Sequence, residues 1–168
     1  MTQQRHTSGG YAVTSLILEV FRLNGRLLVE GDRLVSGLGM TSARWQILGA
    51  IALSPTPEPV ARLARNMGLN RQGVQRIVDE LAALGLVEFR TNPHHQRAKL
   101  VVLTASGAKA YEDATELQMP WVNALAKGLD PVEIAAAARL IKTLRQRLEV
   151  SHEDGVDGQE VAGAKVAR

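Results

Sequence analysis

Between Asn70 and Asp79 the chain carries Arg71, Gln72, Gln75 and Arg76, side chains suited to hydrogen bonding with planar, edge-on partners. An Arg guanidinium donates two parallel bonds to O6 and N7 of guanine, and a Gln amide pairs in the same manner with N6 and N7 of adenine. All four residues fall within the first turn and a half after Asn70, and no acid occurs before Asp79. That end of a helix is the one a recognition helix presses against base edges. Asn70 is a good N-cap, and the backbone N–H groups beside it can also hold a phosphate. Gly73 adds no bulk, so another backbone can come close.

A second basic group lies in Asn92-Pro93-His94-His95-Gln96-Arg97-Ala98-Lys99. Arg97 and Lys99 suit the narrow minor groove, whose negative potential attracts such residues. His94 and His95 are adjacent on a turn, a poor arrangement for converging on one metal, and the chain has no Cys to complete a shell. They are expected to be exposed turn residues, and neither a metal nor a cofactor is expected. There is no glycine-rich phosphate loop, no Gly-x-Ser-x-Gly and no His-Glu-x-x-His, so enzymatic activity is not expected.

Apolar spacing identifies the elements that must position these residues. Val60, Leu63, Ala64 and Met67 stand at i, i+3, i+4, i+7, as do Val74, Ile77, Val78 and Leu81. Gly68-Leu69-Asn70 forms a corner between the two stripes, and Gly85 closes the second. This is a helix-turn-helix pattern. Val87 and Phe89 then alternate with Glu88 and Arg90, and Leu100 to Leu103 is an apolar, β-branched run, so a hairpin wing follows the two helices. Upstream, Tyr11 to about Leu34 has helical spacing (Val13, Leu16, Ile17, Val20, Leu23, Leu27). A short helix after Thr41-Ser42 sets Ala43, Ile47, Leu48 and Ile51 on one face, and the proline-rich Ser54–Pro59 predicts a loop. Downstream, Thr104 caps a helix in which Pro120 predicts a kink or break. Asp130-Pro131-Val132-Glu133 starts another helix, where Ile134, Ala137, Ile141, Leu144 and Leu148 are spaced as an a/d pairing seam.

The 168 residues are 45% apolar and 22% charged, an ordinary globular balance without a membrane-length apolar run. Aromatics at 4% disfavour a binder that stacks bases on rings. The net charge is +3, and it is unevenly placed. Residues 57–104 hold seven Arg or Lys against four Asp or Glu, and residues 105–168 hold eight against ten. The basic third coincides with the helix-turn-helix and wing. The polar start lacks a signal peptide's apolar core, so a cytoplasmic location is expected.

Ala61 to Thr104 resembles the winged helix-turn-helix core of the MarR family of bacterial transcription regulators. The resemblance is carried by Leu69-Asn70-Arg71-Gln72-Gly73-Val74-Gln75-Arg76-Ile77-Val78-Asp79-Glu80-Leu81, Leu84-Gly85-Leu86-Val87, Arg97-Ala98 and Leu103-Thr104, and the flanking helices extend it over residues 11–149. It implies a recognition helix in the major groove, Arg97 in the minor groove, and a two-fold dimer built by terminal helices. It also implies an effector cleft between the dimerisation helices and the DNA-binding lobe. Arg44, Trp45 and Trp121 are candidates to line such a cleft for an aromatic acid. One departure is at the wing: the family's usual Asp two residues before the arginine is replaced by His95.

The expectation is a mainly α fold, a winged helix-turn-helix with N- and C-terminal dimerisation helices. Residues 1–10 form a flexible lead and 11–40 with 105–149 the dimerisation helices. Residues 41–104 form the DNA-binding domain, and 151–168 a disordered tail. The expected function is a homodimeric, sequence-specific repressor on a pseudo-palindromic operator, released by a small effector. Asn70, Arg71, Gln72, Gln75, Arg76, Arg97 and Lys99 face DNA, and Ile134, Ile141, Leu144 and Leu148 form the dimer seam. The alternative is a winged helix used only for protein contact. That would call for an apolar or acidic second helix, where this one displays Arg and Gln.

Overall fold

A computed structural model of the chain describes residues 6–95 and 97–160, with backbone alone from residue 150 onward. The order of elements is α1 (Ser8–Val35), a 3-10 turn (Ser36–Leu38), α2 (Ser42–Ala52), β1 (Glu58–Pro59), α3 (Val60–Met67), α4 (Arg71–Ala83), β2 (Val87–Arg90), β3 (Leu100–Leu103), α5 (Ala105–Leu125) and α6 (Pro131–Glu160). Two compact units divide after Val122. The first contains the helix-turn-helix and the wing.

The core of this first unit is built from the stripes that the spacing predicts. Leu63 and Ala64 of α3, Val74, Val78 and Leu81 of α4, and Ile47 and Leu48 of α2 are buried with Val87 and Val101 of the sheet. Each such Val, Leu or Ile side chain contributes about 1.5–3 kcal/mol on removal from water. Gly68 ends α3 in the left-handed conformation (φ 66°), which only a residue without a side chain adopts cheaply, and Leu69 N–H bonds back to Ala64 O at 2.9 Å.

Several local features differ from the sequence expectation. α1 begins at Ser8, not after Gly9-Gly10, because the Thr7 hydroxyl accepts the Gly10 N–H at 3.0 Å and caps the helix inside the expected lead. In the first turn of α2 the buried position is Ser42, and Ala43 is exposed. Ser42 N–H donates to Asp32 Oδ1 at 2.6 Å, and a Cβ on Gly31 would lie 2.7 Å from Ser42 Oγ, so α1 and α2 meet too closely there for a larger residue. The proline-rich loop contains a short strand. Glu58 and Pro59 pair antiparallel with Val101 and Leu100, giving a three-stranded sheet in the order β1-β3-β2. Pro59 lacks an N–H, and an edge strand is where a sheet tolerates that loss. β2 pairs with β3 from Val87↔Leu103 to Arg90↔Leu100, as a hairpin should.

Helix α5 runs through Pro120 without a break. Proline removes one N–H, and Glu116, whose carbonyl loses that bond, is exposed to water. In the second unit, Asp130 Oδ1 accepts the Val132 N–H at 2.8 Å and starts α6 where the sequence places it. α6 then continues to Glu160, ten residues into the expected disordered tail. Gly155 and Gly158 weaken a helix but do not stop it, and no proline follows Pro131. Residues 161–168 of that tail, and 1–5 of the lead, lie outside the described residues. Along α6, Ile134, Ile141 and Leu148 are exposed and Leu144 is half-buried. Along α1, Tyr11, Ile17, Leu18, Phe21 and Leu23 are exposed.

Candidate nucleic-acid interface

α4 presents two distinct faces. Val74, Val78 and Leu81 are buried in the core, while Arg71, Gln72, Gly73 and Arg76 are exposed and Gln75 is half-buried. Asn70 caps the helix: its Oδ1 accepts the Gln72 N–H at 2.8 Å and the Gly73 N–H at 3.4 Å. Asn70 therefore fixes the start of the helix. Two of the N–H groups that the sequence offers to a phosphate are already taken by this cap.

The next turn of α4 supplies acids that hold two of the base-reading candidates. Gln75 Nε2 donates to Asp79 Oδ1 at 2.9 Å, and Arg76 Nη1 donates to Glu80 Oε1 at 3.0 Å. The other oxygen of Glu80 receives Arg44 from α2, through Nε at 3.3 Å and Nη2 at 3.1 Å. Arg71, Arg97 and Lys99 form no ion pair among the described residues.

Asn92, in the Asn-Pro pair that marks a turn, fixes the wing through partners that the pair alone does not reveal. It is 9% exposed; its Oδ1 accepts the His94 N–H at 3.0 Å and its Nδ2 donates to Ala98 O at 3.0 Å. The amide thus spans the turn next to Arg97. In place of the usual wing carboxylate, a buried Asn with backbone partners sets this loop, while His94 and His95 are exposed. Asn before Pro favours a turn of this kind, closed by the Asn side chain.

Helix and wing come together in one cleft of about 330 Å³. Arg71, Gln75 and Asp79 line it from α4, Arg97 and Lys99 from the wing, Pro59 from β1, and Val60 and Ala61 from the start of α3. A second, larger cleft of about 680 Å³ runs along the outer face of α4, lined by Arg71, Gln72, Gln75 and Arg76 with Asp79 and Glu80. All of the sequence-predicted contact residues except Asn70 line one or both clefts. At the other end of α4, the Thr104 hydroxyl donates to Gly85 O at 2.7 Å and accepts the Gly107 N–H at 3.0 Å, coupling the helix end to α5.

The three effector candidates occupy different settings. Arg44 already serves Glu80, Trp45 packs against the core, and Trp121 is half-buried on α5.

A helix-turn-helix with Arg and Gln on its outer helix face and a basic hairpin closing on the same groove is a winged-helix DNA-binding module. The sequence profile of the MarR family matches residues 38–98. An uncharacterised protein of Mycobacterium tuberculosis (strain H37Rv) is 37% identical over 124 residues, covering 74% of this chain and 85% of that protein. The crystal structure of wild-type MarR from E. coli in its apo form is similar with a TM-score of 0.61 and 26% identity, over 84% of this chain and 98% of that one. CouR from Rhodococcus jostii RHA1, crystallised with p-coumaroyl-CoA, shares the fold at a TM-score of 0.70 and 19% identity, over 77% and 91%. The chain belongs to the MarR family. It is a DNA-binding transcription regulator and not an enzyme. No described helix is long and apolar enough to cross a membrane.

Proposed function

We propose that this protein binds a pseudo-palindromic operator as a homodimer and represses the genes behind it until a small aromatic effector releases it. The observation that carries the DNA side of this proposal is the shared cleft. Arg71 and Gln75 from α4 and Arg97 and Lys99 from the wing line one groove although they are up to 28 residues apart in sequence. In this arrangement α4 lies in the major groove, where Arg71, Gln72, Gln75 and Arg76 meet base edges. Arg97 and Lys99 track the phosphates and the adjacent minor groove. Its partner being DNA, the protein acts in the cytoplasm.

The dimer is supported by the apolar residues left exposed on α6 and α1, which a two-fold partner would cover. The effector is supported by CouR, which was crystallised with an aromatic acyl-CoA. Here Trp45 on α2 and Trp121 on α5 supply the apolar surface. An effector acts as a switch only if it prefers one spacing of the two recognition helices.

The test is selection of duplex DNA from a random pool by the purified protein. The expected consensus is two-fold symmetric, with half-sites about 10 bp apart. Affinity should fall steeply with salt, with a logarithmic slope of about −0.9 per phosphate neutralised. Equal affinity for random and selected DNA would exclude a sequence-specific regulator.

A further inference from the structure

Glu80 stands between two arginines with different tasks. Its Oε1 accepts from Arg76, a base-reading candidate on the exposed face of α4, and its Oε2 accepts from Arg44, which reaches across from α2. The Arg76 side chain is 73% exposed, against 28% for Arg44 and 34% for Glu80. Arg44 and Glu80 therefore form the more enclosed half of the arrangement, and Arg76 is its solvent-exposed end.

The direction of the Arg76 bond matters. Long helical side chains normally point toward the helix N-terminus, which on α4 is the end that meets base edges. Arg76 instead reaches to the residue four positions further on. To meet DNA it has to leave Glu80. An exposed ion pair of this kind is weak enough to release and strong enough to alter an equilibrium measurably. How firmly Glu80 holds Arg76 depends on how much of its negative charge Arg44 neutralises. With Arg44 present the carboxylate is shared. Without it, all of the charge acts on Arg76.

We propose that Glu80 is a positioning residue for DNA binding, holding Arg76 away from DNA with a grip that Arg44 of α2 sets. The proposal rests on Arg76 being a DNA contact. It makes the recognition helix responsive to α2 through a charge rather than through a movement of the backbone.

The experiment is a mutant cycle on the full-length protein, read by fluorescence anisotropy with a labelled duplex of about 30 bp carrying the selected consensus, long enough for both half-sites. Glu80→Gln should tighten binding by about two- to five-fold more in the wild-type background than in Arg76→Ala, because only the former has a grip to lose. Arg44→Gln should weaken binding in the wild type by a larger factor than in Glu80→Gln. The Glu80→Gln difference should shrink at high salt, because the Arg76 end of the pair is exposed, and the Arg44→Gln difference should shrink less, because Arg44 and Glu80 are half-buried. Glu80→Gln gains that are equal in the two backgrounds overturn the proposal, as does a coupling that salt leaves unchanged. If Arg76→Ala alone leaves affinity untouched, Arg76 is not a DNA contact, and that failure is visible separately. Urea denaturation of each variant confirms that the comparison is among folded proteins; Arg76 is exposed, and Arg44 and Glu80, though half-buried, are not among the buried core residues.

Discussion

A Cβ placed on Gly107 would lie 1.8 Å from the carbonyl oxygen of Leu86, so the first turn of α5 rests directly on the backbone that leads out of α4. The same junction is tied by Thr104, whose N–H donates to Leu86 O at 3.1 Å and whose hydroxyl donates to Gly85 O at 2.7 Å. The obstructing atom is backbone and cannot swing aside as a side-chain tip can. Gly107→Ala should therefore destabilise the protein by about 3 kcal/mol, the upper end of the usual cost of overpacking. The urea midpoint, followed by circular dichroism, measures this. An unchanged midpoint would mean that α5 can lift away from Leu86 without loss.

Gly73 is the opposite case. It lies on the exposed face of α4, and a Cβ there would meet nothing within 4 Å. Its φ is not positive, so Gly73→Ala fits the helix and should stabilise the fold by about 0.5–1 kcal/mol. On DNA the added methyl would stand where the backbone approaches its partner, and operator affinity should fall. A stability gain with a binding loss separates the two roles of one residue. A gain in stability with affinity unchanged would show that this part of α4 stays clear of DNA.

The two helices of the DNA-binding core were legible because their signals are local. The stripes Val60-Leu63-Ala64 and Val74-Ile77-Val78-Leu81 repeat at the helical period. Gly68 and Gly85, both at positive φ, fall where a chain turning out of a helix needs them. The hairpin was legible from a change of period after Gly85. What was missed depends on partners distant in sequence. β1 is two residues long, includes a proline, and exists only because β3 lies beside it. Ser42 is buried because Gly31 and Asp32 close over it, which no spacing within α2 records. The ion pair of Arg44 with Glu80 spans 36 residues, which nothing in the neighbourhood of Trp45 records. In each case a short element or a long side chain took its place from tertiary contact and not from its own sequence neighbourhood.

The wing gives a test of Asn92. Its buried amide closes the turn through His94 N–H and Ala98 O, and Arg97 lies inside the loop so closed. Asn92→Ala removes two hydrogen bonds from the wing turn, at a cost of about 1 kcal/mol each. The fold should survive, since the sheet register and core lie elsewhere. Operator affinity should fall, by less than it falls in Arg97→Ala, and the selected consensus should keep its major-groove positions. Affinity equal to the wild type would show that Arg97 finds its groove without a preformed loop.

The seam on α6 can be tested without disturbing the single chain. Leu148 is 66% exposed, so Leu148→Asp introduces no buried charge into a monomer, whereas Leu144, half-buried, carries some risk of local damage. In a two-fold dimer each substitution occurs twice, and the lost burial of two leucines is worth about 3–6 kcal/mol. That corresponds to roughly two to four powers of ten in the dimer dissociation constant. Sedimentation velocity at micromolar concentration should therefore show Leu148→Asp as a folded monomer. Binding to the selected operator should weaken in parallel, because each half-site must then be filled independently. Leu144→Asp should give the same result, with an additional loss of helicity if its half-buried position supports α6 itself. If Leu148→Asp sediments as a dimer of wild-type strength, the partner does not cover this face, and the exposed apolar residues of α1, Phe21 and Leu23 among them, become the surface to mutate next.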